Sequence, residues 1–182
     1  MKNILLAVVL LFVVNCSGGS SAASEEGLKN LKAPSAEFSL ASPSYKDGGM
    51  VPEVYTCEGS HKSPPLKWFN APKGTKSFAL VFKDPDAPSG LWTHWVVYDI
   101  PATTTKSSEG SSPKGAKIGK NEMGATKYAA PCPPNGKHRY IFDLYALDIE
   151  SIKPENDDRA GVEKALKSHI LGQTKLEASY SK

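Results

Sequence analysis

The sequence has few of the features that define several large classes of protein. Its 182 residues include only three cysteines, too few for a small domain built on disulfides. Lys and Arg number 22 against 19 Asp and Glu, and no basic stripe with interleaved aromatics is present, so no nucleic-acid partner is predicted. The longest apolar run covers residues 4–14, about half of the ~20 residues that a membrane-spanning helix needs. With 40% apolar and 23% charged residues, the chain as a whole has the composition and length of one globular domain.

An export signal is predicted at the N-terminus. Lys2 precedes the apolar run, and Cys16 follows it after Asn15, ahead of a stretch rich in Ser and Gly. This order is similar to a bacterial lipoprotein signal, in which Cys16 becomes the lipidated first residue of the mature protein. A secretory signal cut near residues 22–23, or a retained anchor, are the alternatives. We therefore expect a signal peptide over residues 1–15, a flexible tether over 16–36 and a domain over 37–182.

Strand-like segments dominate the domain, and a single helix is expected. The pattern of apolar residues, with Gly and Pro turns between segments, predicts strands over residues 37–40, 77–82, 93–100, 140–147 and 175–180. The helix is predicted to start at Asp157 or Asp158 and to end near Gly172. Its apolar positions recur at intervals of four, at Val162, Leu166 and Ile170. The fold class is therefore mainly β, an antiparallel two-sheet sandwich with a small C-terminal helical element.

Two of these strands begin with a histidine. Residues 92–95 read Trp-Thr-His-Trp, and residues 131–140 contain Pro-Pro and His-Arg-Tyr before the last long strand. Alternation along a strand places His94 on the face of Val96, opposite Trp95, and places His138 on the face of Tyr140. Two imidazoles would then lie at the mouth of an apolar core, where binding pockets form. The alternative is a pair of core histidines with satisfied hydrogen bonds.

These segments together resemble the phosphatidylethanolamine-binding protein family, and specifically its bacterial, Raf kinase inhibitor-like branch. The similarity covers residues 38–180. It rests on Asp-Pro-Asp-Ala-Pro at 84–88, Trp-Thr-His-Trp at 92–95, Pro-Pro at 133–134 and His-Arg-Tyr at 138–140. Further matches in the same order are Tyr-Thr-Cys-Glu-Gly at 55–59, Ser-Pro-Pro-Leu at 63–66 and Tyr-Ala-Leu at 145–147.

The resemblance implies a sandwich fold and an anion-binding pocket, and no cofactor is predicted. Carried onto this sequence, the pocket lining would be Asp84, Asp86, Pro88, Trp92, His94, Pro133, Pro134, His138 and Tyr140. Imidazole and phenol groups can donate hydrogen bonds to a phosphoryl group, and more strongly when the histidines protonate. For Asp86, a role as the cap of an Asp-Pro turn is an equal alternative. Arg139 is expected to pair with a carboxylate on the outer face.

The other two cysteines, Cys57 and Cys132, lie in turns beside the expected pocket. Outside the cytoplasm they can form a disulfide if their Cα atoms lie within 7 Å, and two reduced thiols are the alternative. Two His and two Asp are residue types that can form a metal site, but no ligand spacing of the His-x-x-x-His kind supports one.

Three functions fit these features. The first is a non-enzymatic protein of the cell envelope that binds a small anion such as phosphate or phosphoethanolamine, held at a membrane by lipid on Cys16, or secreted or periplasmic without it. Modulation of kinases or proteases is implied by the resemblance only. The second is a phosphoester-acting enzyme, with His94 or His138 as base and Asp84 as its partner, although no nucleophile motif such as Gly-x-Ser-x-Gly is present. The third is a serine-peptidase inhibitor.

Overall fold

The computed structural model describes residues 20–182, and it is mainly β. The predicted signal peptide and Cys16 lie outside these residues. The strands, in chain order, are β1 (Ser39–Ala41), β2 (Gly49–Met50), β3 (Leu66–Phe69), β4 (Ser77–Asp84), β5 (Trp92–Pro101), β6 (Lys106–Ser107), β7 (Lys117–Ile118), β8 (Lys137–Leu147) and β9 (Ile170–Ser181). Helices α1 (Ser20–Asn30) and α2 (Arg159–Leu166) and a 3₁₀ turn (Glu53–Tyr55) complete the fold. Within the described residues, no helix has the length and apolar character needed to cross a bilayer.

Two sheets pack face to face, which confirms the predicted sandwich. The small sheet has the order β1-β3-β6, and the large sheet has the order β2-β9-β8-β4-β5-β7. All pairings are antiparallel except β2 with β9. The main core lies between the sheets, where Leu66 and Trp68 of β3 join Phe78, Leu80 and Phe82 of β4.

The outer face of the large sheet is covered by α2. Val162 and Leu166 of this helix pack with Ala79 and Val81, which point away from the main core. Strand β4 is thus buried on both faces, and this explains why its sequence is a nearly continuous apolar run rather than an alternating one. Asp158 caps α2, since its side chain accepts a hydrogen bond of 2.8 Å from the backbone N–H of Gly161.

The predicted C-terminal end of this helix was wrong. Helix α2 ends at Leu166, and Ile170 and Gly172 belong to β9, which starts five residues earlier than expected. Pairing with β8 overrides the helical spacing, because Ile170 lies opposite Leu147 and Gly172 opposite Ala146. A Cβ atom on Gly172 would also lie 2.8 Å from the side chain of Pro72, so this strand position needs glycine.

The predicted tether also differs from the structure. Residues 16–36 were expected to be flexible, but α1 occupies most of their described part. The helix has little amphipathic signal of its own, and contacts with the domain hold it in place. Leu28 is only 1% exposed, and the Lys67 ammonium group donates hydrogen bonds to the carbonyls of Leu28 and Leu31.

Candidate functional site

The site begins with Asp84, the last residue of β4. This residue is 3% exposed, and both of its carboxylate oxygens have partners. Oδ1 accepts a hydrogen bond of 2.8 Å from the N–H of Asp86, which folds the chain into an Asx turn at Pro85. Oδ2 lies 2.7 Å from Nδ1 of His138. The turn residues therefore hold the carboxylate in the position where it can orient the imidazole.

His138 enters the site from the start of β8. It is buried beside Tyr140, and the two rings are 6.5 Å apart and nearly parallel. Tyr140, Phe142 and Leu144 all belong to the main core, so the predicted alternation along β8 is confirmed. The same alternation turns Arg139 to the opposite face.

His94 reaches the site through an irregularity in β5. The pairing runs Phe82 with Trp95 and then Lys83 with Thr93, which leaves His94 as the extra residue of a β-bulge. Because of this bulge, His94 and Trp95 both turn toward the main core, and Val96 turns to the outer face. The expectation that His94 shares a face with Val96, opposite Trp95, was therefore wrong.

Hydrogen bonds to Nδ1 determine how each imidazole faces the site. Nδ1 of His94 lies 2.9 Å from the carbonyl oxygen of Ala129, and Nδ1 of His138 faces the Asp84 carboxylate. A carbonyl or carboxylate oxygen only accepts, so Nδ1 carries the proton in both rings. Nε2 of each neutral ring is then a bare acceptor, and it becomes a donor only when the ring is protonated. Burial lowers the pKa of His94 below its ordinary value, so its neutral form is favoured.

Tyr140 lies between the two histidines. Its ring makes an edge contact with His94 at 5.4 Å between centroids. The hydroxyl is buried and no atom of the described residues forms a hydrogen bond with it in regular geometry. Burial, and then the nearby negative charge of Asp84, raise the pKa of Tyr140, so it stays a neutral phenol. A buried hydroxyl of this kind is available to a ligand.

These groups line a cavity of about 400 Å³ at one end of the sandwich. Its lining consists of Asp84, Ala87, Pro88, Ser89, Trp92, His94, Met123, Ala129, Ala130, Cys132, Pro133, Pro134, His138 and Tyr140. Eight of the nine residues predicted for the pocket are among them. The lining combines apolar walls with a small polar group of two imidazoles, one acid and one phenol, and it contains no Lys or Arg.

Asp86 is the ninth predicted residue, and it does not line the cavity. Its carboxylate binds Arg139 on the outer face, where Oδ2 accepts from Nε at 2.9 Å and Oδ1 from a terminal guanidinium nitrogen at 2.8 Å. Oδ2 also accepts from the N–H of Arg139. These bonds lower the pKa of Asp86 to about 2. The pair ties the turn after β4 to β8, which agrees with the expected outward pairing of Arg139.

A disulfide supports one wall of the cavity. Cys57 and Cys132 are bonded, with their Cα atoms 5.3 Å apart, inside the 7 Å limit. The N–H of Cys57 also donates to the carbonyl of Pro131 at 3.0 Å. Two further hydrogen bonds hold the chain at the start of this wall. The N–H of Ala129 donates to the carbonyl of His94 at 3.0 Å, and the hydroxyl of Tyr128 donates to the carbonyl of Tyr55 at 3.2 Å. The wall formed by residues 129–134 is therefore fixed at both ends.

Some site residues were not anticipated from the sequence. The Ala129 carbonyl orients His94, although nothing in the sequence marks a backbone acceptor. Met123 is 60% exposed at the edge of the cavity and belongs to a loop distant in sequence from both histidines. Ser89 and Ala87 follow directly from the Asp-Pro turn and could have been included with it. No group of three or more His, Cys, Asp or Glu within residues 20–182 has the arrangement of a metal site.

The fold and the site together define a β-sandwich with a histidine-lined pocket at the ends of its central strands. A model of the phosphatidylethanolamine-binding protein family matches residues 41–181. The chain belongs to this family.

Relatives and solved structures agree with this assignment. The chain is 43% identical over 162 residues to a UPF0098 protein of Aquifex aeolicus, covering 85% of this chain and 94% of the relative. It is 35% identical over 151 residues to LppC of Mycobacterium tuberculosis, named as a candidate lipoprotein, covering 81% and 75%. A crystal structure of CT736, a homologue of the family from Chlamydia trachomatis, superposes with a TM-score of 0.77 at 35% identity, covering 81% and 99%.

Proposed function

We propose that this protein binds a small anion of the phosphoryl type, including a phospholipid head group, in the cavity and without catalysis. One observation carries the proposal: Nε2 of His94 and Nε2 of His138 form no hydrogen bond with any atom of residues 20–182, while both rings line one cavity together with Tyr140. Each ring is held through its other nitrogen, so both are oriented before a ligand arrives. Such preorganisation lowers the entropic cost of binding.

The chemistry of the cavity favours an anion that brings in a proton or binds at mildly acidic pH. Protonated His94 and His138 would offer two N–H donors, and the hydroxyl of Tyr140 a third. Asp84 already accepts from His138, and its charge also suits the ammonium group of phosphoethanolamine. The apolar walls exclude water and strengthen these polar contacts.

The proposal of binding without catalysis rests on the state of two potential nucleophiles in the cavity, Cys132 and Tyr140. Cys132 lines the cavity, but its sulfur is bonded to Cys57 and cannot attack a substrate. The hydroxyl of Tyr140 stays protonated because its pKa is raised. An imidazole with a carboxylate partner can act as a general base, so hydrolysis of a phosphoester is the activity to test against.

We also place the protein in the cell envelope, attached by lipid on Cys16. The lipoprotein-like pattern around Cys16 supports this location, and so does the similarity to LppC. A role as a modulator of kinases or proteases, implied by the family resemblance, would require a protein partner. Incorporation of a fatty-acid probe, with Cys16→Ala as the control, tests the anchor.

The binding function is tested by NMR titration of the histidine ring signals with phosphoethanolamine. The chain has four histidines, and His61 and His169 lie away from the cavity and serve as internal controls. We expect saturable shifts at His94 and His138 only. Shifts at all four rings, or at none, would contradict the proposal. Hydrolysis of p-nitrophenyl phosphate that disappears in His94→Asn but persists in His169→Asn would establish an enzyme instead.

A further inference from the structure

Helix α1 is bound to the domain through a set of contacts that we name the leader contact. On the helix side it consists of Glu25, Gly27 and Leu28. On the domain side it consists of Pro43, Lys67, Lys106 and Ser108. Lys67 belongs to β3 and Lys106 to β6, so the helix lies against the small sheet. The family model begins at residue 41 and does not include this helix.

The apolar part of the leader contact is close-packed. Leu28 is almost fully buried although it belongs to a segment rich in small polar residues. A Cβ atom on Gly27 would lie 2.9 Å from Cβ of Pro43, so the helix approaches the domain more closely than any other residue would permit.

The polar part of the contact binds the middle and the C-terminal end of the helix. The Lys67 ammonium group donates to the carbonyl oxygens of Leu28 at 3.0 Å and Leu31 at 3.2 Å, at the C-terminal end, where helical carbonyls lack partners and a cation is favourable. Earlier in the helix, Glu25 pairs with the Lys106 ammonium group at 3.0 Å and accepts a hydrogen bond from Ser108.

The chain between the helix and the first strand is also held. The side-chain amide of Asn70 donates to the carbonyls of Ser35 at 3.0 Å and Glu37 at 3.4 Å. Attachment is therefore continuous from the helix to β1, rather than limited to one anchoring leucine.

We infer that the leader contact holds the domain directly against the membrane surface, an inference that rests on the lipid proposed for Cys16. Ser20 follows Cys16 by four residues, which span at most about 14 Å when fully extended. A flexible chain over residues 16–36 would instead have an average end-to-end distance of about 25 Å and could extend to about 70 Å. The docked helix removes this freedom, so the domain lies next to the head groups of the bilayer.

Two measurements on the full-length lipidated protein test this inference. Neutron reflectometry on a supported bilayer measures the gap between the lipid surface and the protein layer. We expect a gap of less than about 15 Å in the wild type. In Lys67→Met/Lys106→Met, which removes both cationic contacts, we expect a wider and more diffuse layer. Lys164→Met removes an exposed lysine of α2 that is paired with Glu155, and it is expected to leave the gap unchanged.

Limited trypsin digestion reports the leader contact independently of the lipid. Lys29 is exposed within α1, and the docked helix is expected to protect the bond that follows it. Cleavage there should be about tenfold faster in the double variant, equal to about 1.4 kcal/mol of lost docking free energy. Equal cleavage rates in wild type and variant, with lipid present, would overturn the leader contact. Absence of lipid on Cys16 by mass spectrometry would overturn the anchor and the short reach, even if trypsin protection persists.

Discussion

The coupling between anion binding and the proton on His94 is the most specific consequence of the site geometry. Nδ1 of His94 donates to the Ala129 carbonyl, and Nε2 is a bare acceptor while the ring is neutral. Burial lowers the pKa of His94, whereas an anion placed beside Nε2 would raise it. Binding should therefore take up a proton at this ring.

The magnitude follows from linkage between the two equilibria. At pH values between the pKa of the free protein and that of the complex, a rise of one pH unit weakens binding about tenfold, or by about 1.4 kcal/mol, for each proton that binding takes up. One proton at His94 gives a slope of about −1 in the logarithm of the association constant against pH.

The variant His94→Asn isolates this contribution. The asparagine amide can still donate to the Ala129 carbonyl, so the wall of the cavity keeps its support, while the titrating nitrogen is lost. We expect weaker binding below the ordinary histidine pKa and a slope that is smaller by about one. His169→Asn, which changes a ring paired with Asp148 outside the cavity, is the matched control and should keep the wild-type slope.

Isothermal titration calorimetry between pH 5 and pH 8 measures both the affinity and the number of protons taken up. Glycerophosphoethanolamine is the appropriate ligand, because its phosphodiester keeps one charge across this range and does not contribute a titration of its own. Buffers with different ionisation enthalpies count the protons directly. Binding without proton uptake, or an unchanged slope in His94→Asn, would refute the reasoning about the two ring nitrogens.

Three predictions concern stability. Arg139→Gln should lower the free energy of unfolding only slightly at neutral pH, because the pair with Asp86 lies at the surface. The folded pKa of Asp86 is about 2 and its ordinary value is 3.8, so this contribution is present above pH 3.8 and is lost as the pH falls toward 2. Urea unfolding across pH 2–6 measures it. Cys57→Ser/Cys132→Ser opens a separation of 75 residues and should lower the free energy of unfolding by about 2–4 kcal/mol, and a smaller loss would weaken the structural role of the bond. His94 has a folded pKa below 6.5, so the unfolded chain binds its proton first and stability should fall as pH drops below 6.5; urea unfolding of His94→Asn should lack this part of the pH dependence.

Local sequence patterns predicted the regular parts of the fold well. Strand β8 alternates without interruption, so the shared face of His138 and Tyr140 followed from spacing alone. Strand β5 looked equally regular, but its bulge at His94 depends on pairing with β4, which a single strand does not encode in its spacing. His94 was nevertheless assigned to the pocket, because its place at the start of a strand, like that of His138, and the resemblance to the family both pointed there.

Longer-range contacts explain the remaining differences. Asp86 and Arg139 are distant in sequence, and the pairing of β4 with β8 brings them together. The Asp86 carboxylate therefore binds the guanidinium group and does not line the cavity. Ile170 fits a helical spacing, yet it pairs with β8. The composition of α1 is typical of a flexible segment, and its docking depends on Lys67, in a strand far along the chain.

A crystal structure of the protein with phosphoethanolamine bound, grown at mildly acidic pH, tests the central claim most directly. The account predicts phosphoryl oxygens within about 2.7–3.2 Å of Nε2 of His94 and Nε2 of His138, with the Nδ1 contacts of both rings unchanged. Density for the phosphoryl group away from these two nitrogens, or an unchanged cavity at saturating ligand, would contradict it.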